Sequence, residues 1–128
     1  MSGSYRDLKV WQEAMHLVVR IYALTTDFPP QERYGIVQQM RRAAVSVPSN
    51  IAEGYGRRTS RQRYSFLENA LGSLFELETQ TELSARLGFL KEEDAAALAD
   101  RIRGLGRGLT ALMRHVGDEA QNEKKRFT

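Results

Sequence analysis

Apolar residues recur along most of this chain at alternating steps of three and four, the interval that keeps side chains on one face of an α-helix. The pattern breaks at a few points, and these divide the chain into four predicted helices. The first is predicted over about 7–27, with Asp7 as N-cap and Phe28-Pro29-Pro30 as its stop. Its seam reads Leu8, Trp11, Met15, Val18, Tyr22 and Thr25, a heptad spacing suited to near-parallel packing at a shallow angle. The second helix, about 30–54, opens at Pro30, whose missing amide costs nothing in a first turn. Met40, Ala43, Val47, Asn50 and Gly54 share its apolar face. Pro48 removes one amide donor and crowds the carbonyl of Ala44, so a kink is expected there.

The third helix, about 59–87, begins where Thr59 and Gln62 have the spacing of a capping box. Leu67, Ala70 or Leu71, Leu74, Leu77, Thr81 and Ser84 form its seam, and Gly88 ends it. The fourth, about 91–116, starts with Glu92, Glu93 and Asp94, which favour the positive end of a helix dipole. Leu98, Ile102, Leu105, Leu109, Leu112 and Val116 continue the heptad. Gly104, Gly106 and Gly108 interrupt its polar faces, and each costs about 1 kcal/mol relative to alanine in a helix. Either close packing of another helix or a loosened segment is expected at those glycines. Residues 118–128 are charged, nearly free of apolar residues and net neutral, the composition of a frayed tail. The predicted fold is all-α, an up-and-down antiparallel four-helix bundle over 1–117, followed by that tail.

At 128 residues the chain is one domain's worth and large enough to bury a core. It has no cysteine, which excludes disulfide scaffolds and thiolate metal sites. No apolar run approaches the roughly 18 residues needed to span a bilayer, and the first residues lack the apolar core of a signal peptide. A soluble, cytoplasmic protein is the expectation.

The chemically unusual stretch is Gln39–Thr59 and the residues just after it. Arg41, Arg42, Arg57, Arg58, Arg61 and Arg63 face Glu53 alone, a local excess of five positive charges in a chain whose net charge is +3. Arginine suits bidentate contact with phosphate or carboxylate. Two uses are therefore open: contact with a nucleic-acid backbone, or ion pairing with Glu68, Glu76, Glu78 and Glu82 of the next helix in a neighbouring subunit. Beside the apolar face run Gln39, Arg42, Ser46, Ser49 and Glu53, a narrow polar stripe against which another backbone could pack closely.

Enzymatic constellations are missing. Glu13 and His16 form a lone Glu-x-x-His off the predicted seam, without the second pair and inward glutamates of a carboxylate metal site. No metal and no cofactor are expected. GLGRG in the fourth helix is not the dinucleotide fingerprint, and no strand precedes it. Ser46, Ser49, Asn50, Glu53 and His16 do not share a face, so no nucleophile has a base beside it.

The segments VWQEAMHLVVRIY, FPPQERYGIVQQMRRAAVSVPSNIAEGYGR and FLENALGSLFELETQTELSARLGFL resemble the bacterial four-helix-bundle proteins encoded in intervening sequences of large-subunit ribosomal RNA genes. The likeness spans roughly 8–90 and is densest at Arg41–Arg57. The family is similar in turn to the accessory variability protein of diversity-generating retroelements, a basic barrel of such bundles. The resemblance implies a ring-shaped homo-oligomer, a pentamer, with RNA binding. The leading functional expectation is a non-enzymatic oligomeric bundle that binds RNA or other nucleic acid through the six arginines, with Tyr55 and Tyr64 available for stacking and Ser46, Ser49, Asn50 and Glu53 at the oligomer interface. The alternative is a protein-interaction scaffold or accessory subunit whose arginines serve assembly.

Overall fold

In a computed structural model, which describes residues 3–126, the chain forms four α-helices: α1 Lys9–Thr25, α2 Ile36–Tyr55, α3 Ser60–Arg86 and α4 Glu92–Arg126. Short 3-10 turns at Tyr5–Asp7 and Pro30–Glu32 precede α1 and α2. Successive helices pack side by side and α4 closes back on α1, giving an all-α four-helix bundle. The α2–α3 pairing is the most extensive and the α1–α4 seam the slightest.

One continuous core runs through the bundle. Leu17, Ile21, Met40, Val47, Ile51, Leu67, Leu74, Leu77, Leu98, Ile102, Leu105 and Leu109 are buried in it. The seams predicted for the later helices are those buried, except that Asn50 of α2 is half-buried and that in α4 Met113 goes inside while Leu112 is half-buried.

The first helix differs by about one residue in register. Its buried face is Val10, Ala14, Leu17, Ile21 and Thr25, whereas Met15 and Tyr22 are exposed and Leu8, Trp11 and Val18 are half-buried at the edge. The cause is steric. Val10 lies so close to α4 that a Cβ added at Gly108 would stand 2.9 Å from its Cγ1, a spacing that leaves no room there for the larger ring of Trp11. Asp7 sits in the preceding 3-10 turn, leaving Leu8 as an N-cap with no side-chain hydrogen bond.

Two further expectations are corrected. The second helix starts at Ile36, because the segment after Pro29 first makes a 3-10 turn, and α2 then runs unbroken through the buried Pro48. Residues 118–126 are not a frayed tail. They continue α4 without a break, and Glu123 explains how. Its carboxylate accepts hydrogen bonds from the backbone amide (3.3 Å) and hydroxyl (2.8 Å) of Ser60, the first residue of α3. A negative charge there satisfies an otherwise orphaned donor at the positive end of the helix dipole. Thr59 accepts from the Gln62 amide at 3.2 Å, so the predicted cap forms on the threonine side.

The other end of α3 closes through Gly88, at φ +80°, with the Gly88 amide donating to Ala85 and the Phe89 amide to Ser84. This is the paired 5→2 and 6→1 pattern of a Schellman cap, and Phe89 then packs on Phe28.

The glycines of α4 divide by neighbourhood. A Cβ at Gly104 or Gly106 would meet only ordinary contacts at 3.6 Å, and Gly72 of α3 faces open space. At Gly54, by contrast, a Cβ would stand 2.8 Å from Phe66 Cβ and 3.2 Å from the Arg63 carbonyl. Changing Gly72 or Gly104 to alanine is expected to stabilise the fold by about 0.5–1 kcal/mol. Gly54→Ala and Gly108→Ala are expected to cost about 1–3 kcal/mol through overpacking. Urea titrations of the four variants read out the sign directly.

Candidate nucleic-acid interface

The six arginines that are neighbours in sequence are not neighbours in space. Arg41 and Arg42 lie in the first half of α2, and the helical rise puts roughly 21 Å between Arg41 and Tyr55 at its far end. Arg57, Arg58, Arg61 and Arg63 belong to the turn between α2 and α3 and the first turn of α3. They form two separate basic regions.

At the turn, the arginines divide into an inner and an outer pair. Arg57 pairs with Glu53 at 3.3 Å and lies over the Phe66 ring at 4.6 Å. Arg63 donates to the Arg57 carbonyl at 3.3 Å and lies over the Tyr55 ring at 5.2 Å, while its buried Nε finds no partner among the described residues. These two brace the turn. Arg58 and Arg61 are exposed and make no ion pair or hydrogen bond among the described residues. None of the four reaches a glutamate in the middle of α3. Glu78 instead pairs with Arg103 and Glu82 with Arg86.

The end of α4 completes this region. Arg58, Thr59 and Arg61 line a surface cavity of about 740 Å³ with Ala120, Gln121, Glu123, Lys124 and Arg126. Net neutrality over 118–128 concealed this in the sequence: Glu123 turns inward to Ser60, and Lys124 and Arg126 face the cavity with Arg58 and Arg61. The carboxylate on the lining is thus already engaged by two donors. The period of α4, carried past residue 116, was the signal that could have found these residues.

Other predicted positions have different places. Tyr64 is half-buried against the core, its ring 3.6 Å from where a Cβ at Gly117 would stand, and Tyr55 carries Arg63 on its face. Ser46 shares a 2.8 Å hydrogen bond with Ser73 of α3, and Asn50 donates to the Ser46 carbonyl and hydroxyl at 2.8 and 2.9 Å. Ser46 thus belongs to the α2–α3 contact of this chain and Asn50 is tied to it within α2, whereas Ser49 and Glu53 are exposed. Glu13 and His16 line a shallow cavity between α1 and α4 with Leu17, Arg101, Gly104 and Leu105.

Fold and site together define a class, a helical bundle with one strongly basic end. The chain matches the 23S rRNA-intervening sequence protein family over residues 6–111, most of its length, and belongs to that family. No curated protein gives a significant match. Among solved structures, it is similar to a protein of unknown function from the S23 ribosomal protein family of Bacteroides thetaiotaomicron, with a TM-score of 0.77 and 20% identity over 82% of this chain and 95% of that one. At that identity the likeness concerns the fold. The family match stops at residue 111, so Glu123, Lys124 and Arg126 lie beyond it.

Removing the Glu123 carboxylate leaves the first amide of α3 without its partner. Glu123→Ala is expected to lower stability by about 1 kcal/mol and to speed amide hydrogen exchange more over residues 118–126 than near Leu74, where exchange needs the core to open.

Proposed function

We propose that the protein is a non-enzymatic RNA-binding bundle whose basic end, built by Arg58, Arg61, Lys124 and Arg126, contacts phosphates. The observation that carries this reading is the convergence of those four side chains from two helices on one cavity whose carboxylate is occupied elsewhere. Four cations against one hydrogen-bonded carboxylate form a net positive surface that gains by releasing the counterions of a nucleic-acid backbone. The inner pair, Arg57 and Arg63, holds the turn in shape, and Tyr55 and Tyr64 contribute packing there rather than open stacking surfaces. Membership of the intervening-sequence family supports RNA as the nucleic acid, and a cytoplasmic setting accords with it. No helix among the described residues is long and apolar enough to cross a membrane.

The same reading has the bundle working as a homo-oligomer, five copies being what the family resemblance implies. Phe75, Leu83 and Leu87 support this, since they leave large apolar surfaces exposed on the outer side of the α3 region. Repetition of one basic end around a ring would turn modest contacts into firm binding.

Binding to a structured RNA across a salt series tests the proposal. The wild-type log-log slope should be about −3 or steeper, and changing Arg58, Arg61, Lys124 and Arg126 together to glutamine should reduce its magnitude by about 3. Circular dichroism and molar mass should be unchanged, since none of the four braces the fold. Absence of saturable binding at low salt, or a variant that binds as wild type does, rejects the proposal.

A further inference from the structure

The second basic region has a chemistry that the first lacks. Between α1 and α2 lies a cleft of about 490 Å³ lined by Tyr22, Arg33, Tyr34, Val37, Gln38, Arg41, Arg42, Val45 and Ser46, with three arginines and no acidic residue. Tyr34 is 82% exposed and Tyr22 42% exposed, so both rings are open to solvent. The Arg33 and Arg42 side chains make no ion pair or hydrogen bond among the described residues.

Arg41 is held in place. Its Nε donates to Thr25 Oγ1 at 3.0 Å, one terminal nitrogen reaches the Tyr22 carbonyl at 3.3 Å, and the guanidinium lies 4.4 Å over the Tyr22 ring. No carboxylate neutralises it. A fixed guanidinium beside two free ones and an exposed aromatic ring suits a ligand that combines an anionic group with a flat ring. Unpaired nucleotides have that chemistry, a base that stacks on a tyrosine ring and phosphates that meet arginines.

We infer that the α1/α2 cleft binds an unpaired segment of the RNA whose phosphates the basic end contacts, with Tyr34 as the stacking platform and Arg33, Arg41 and Arg42 as the phosphate contacts. This rests on the RNA reading above and adds to it a second site of different selectivity. The basic end meets backbone without regard to pairing, whereas the cleft needs a base out of its helix. Roughly 21 Å of α2 separates the two, so one stem with a loop or overhang can engage both.

The test compares a blunt RNA duplex of two strands with the same duplex carrying a short single-stranded overhang. Tyr34→Ala should weaken binding of the overhang RNA about 10-fold at unchanged salt slope, because stacking releases no counterions. Tyr34→Phe, which keeps the ring, should bind as wild type does. Arg33→Gln with Arg42→Gln should flatten the slope by about 1.4, two single-strand phosphate contacts. The blunt duplex, which has no unpaired nucleotide, should show neither effect.

If Tyr34→Ala and the double arginine variant bind both RNAs as wild type does, while the basic-end variant loses binding, the cleft is not a nucleotide site and the basic end stands. If those cleft variants bind RNA normally but lower the oligomer's molar mass, a second copy of the chain covers the cleft and the inference is overturned. If the wild type binds neither RNA, the RNA reading itself fails.

Discussion

Gly54 and Phe66 set the distance between α2 and α3, and much of the molecule depends on that distance. Because Gly54 has no side chain, Phe66 can approach to where a β-carbon would sit. The helices can then meet closely beside their connecting turn, and the turn itself stays short. Arg57 closes over Phe66 and Arg63 over Tyr55, so both ends of the turn are capped by a cation on an aromatic face. With the turn braced, Thr59 and Ser60 are positioned to start α3, and the first amide of that helix points at Glu123 of α4. The outward cations are a consequence of this packing. Arg58 and Arg61 project because their neighbours are committed inward.

Much of the architecture was visible in the residue pattern, and the exceptions have physical causes. In α3 and α4 the apolar steps read from the sequence coincide with the buried face, although Phe75 and Leu83 of α3 are apolar and stay exposed. The first helix carries adjacent apolar pairs, Val10 with Trp11, Ala14 with Met15, Leu17 with Val18 and Ile21 with Tyr22. A step-counting rule accepts either member of each pair. The choice is made by α4, whose Gly108 admits Val10 and would clash with larger residues, and nothing within α1 reports that.

The candidate site was legible in part for a similar reason. Six arginines close together in sequence suggested one patch, but a continuous α2 carries Arg41 away from the turn, and two basic regions result. The cations contributed by α4 were hidden because charge was summed along the chain. A helix distributes charge around its circumference, and the inward turn of Glu123 depends on Ser60, far away in sequence. Tyr34, isolated in a connecting segment, has no local pattern that marks it. Its meaning comes from the arginines that folding brings beside it.

The reach of α4 beyond the family match has a consequence for how such a protein can change over time. Glu123 ties the last turns of that helix to the bundle, and Lys124 and Arg126 beside it are exposed. Substitutions there can raise, lower or reverse the charge at the end of the bundle without disturbing the core. The charge at that end is therefore free to diverge while the fold remains the same, and the scaffold can be inherited while its surface is rewritten.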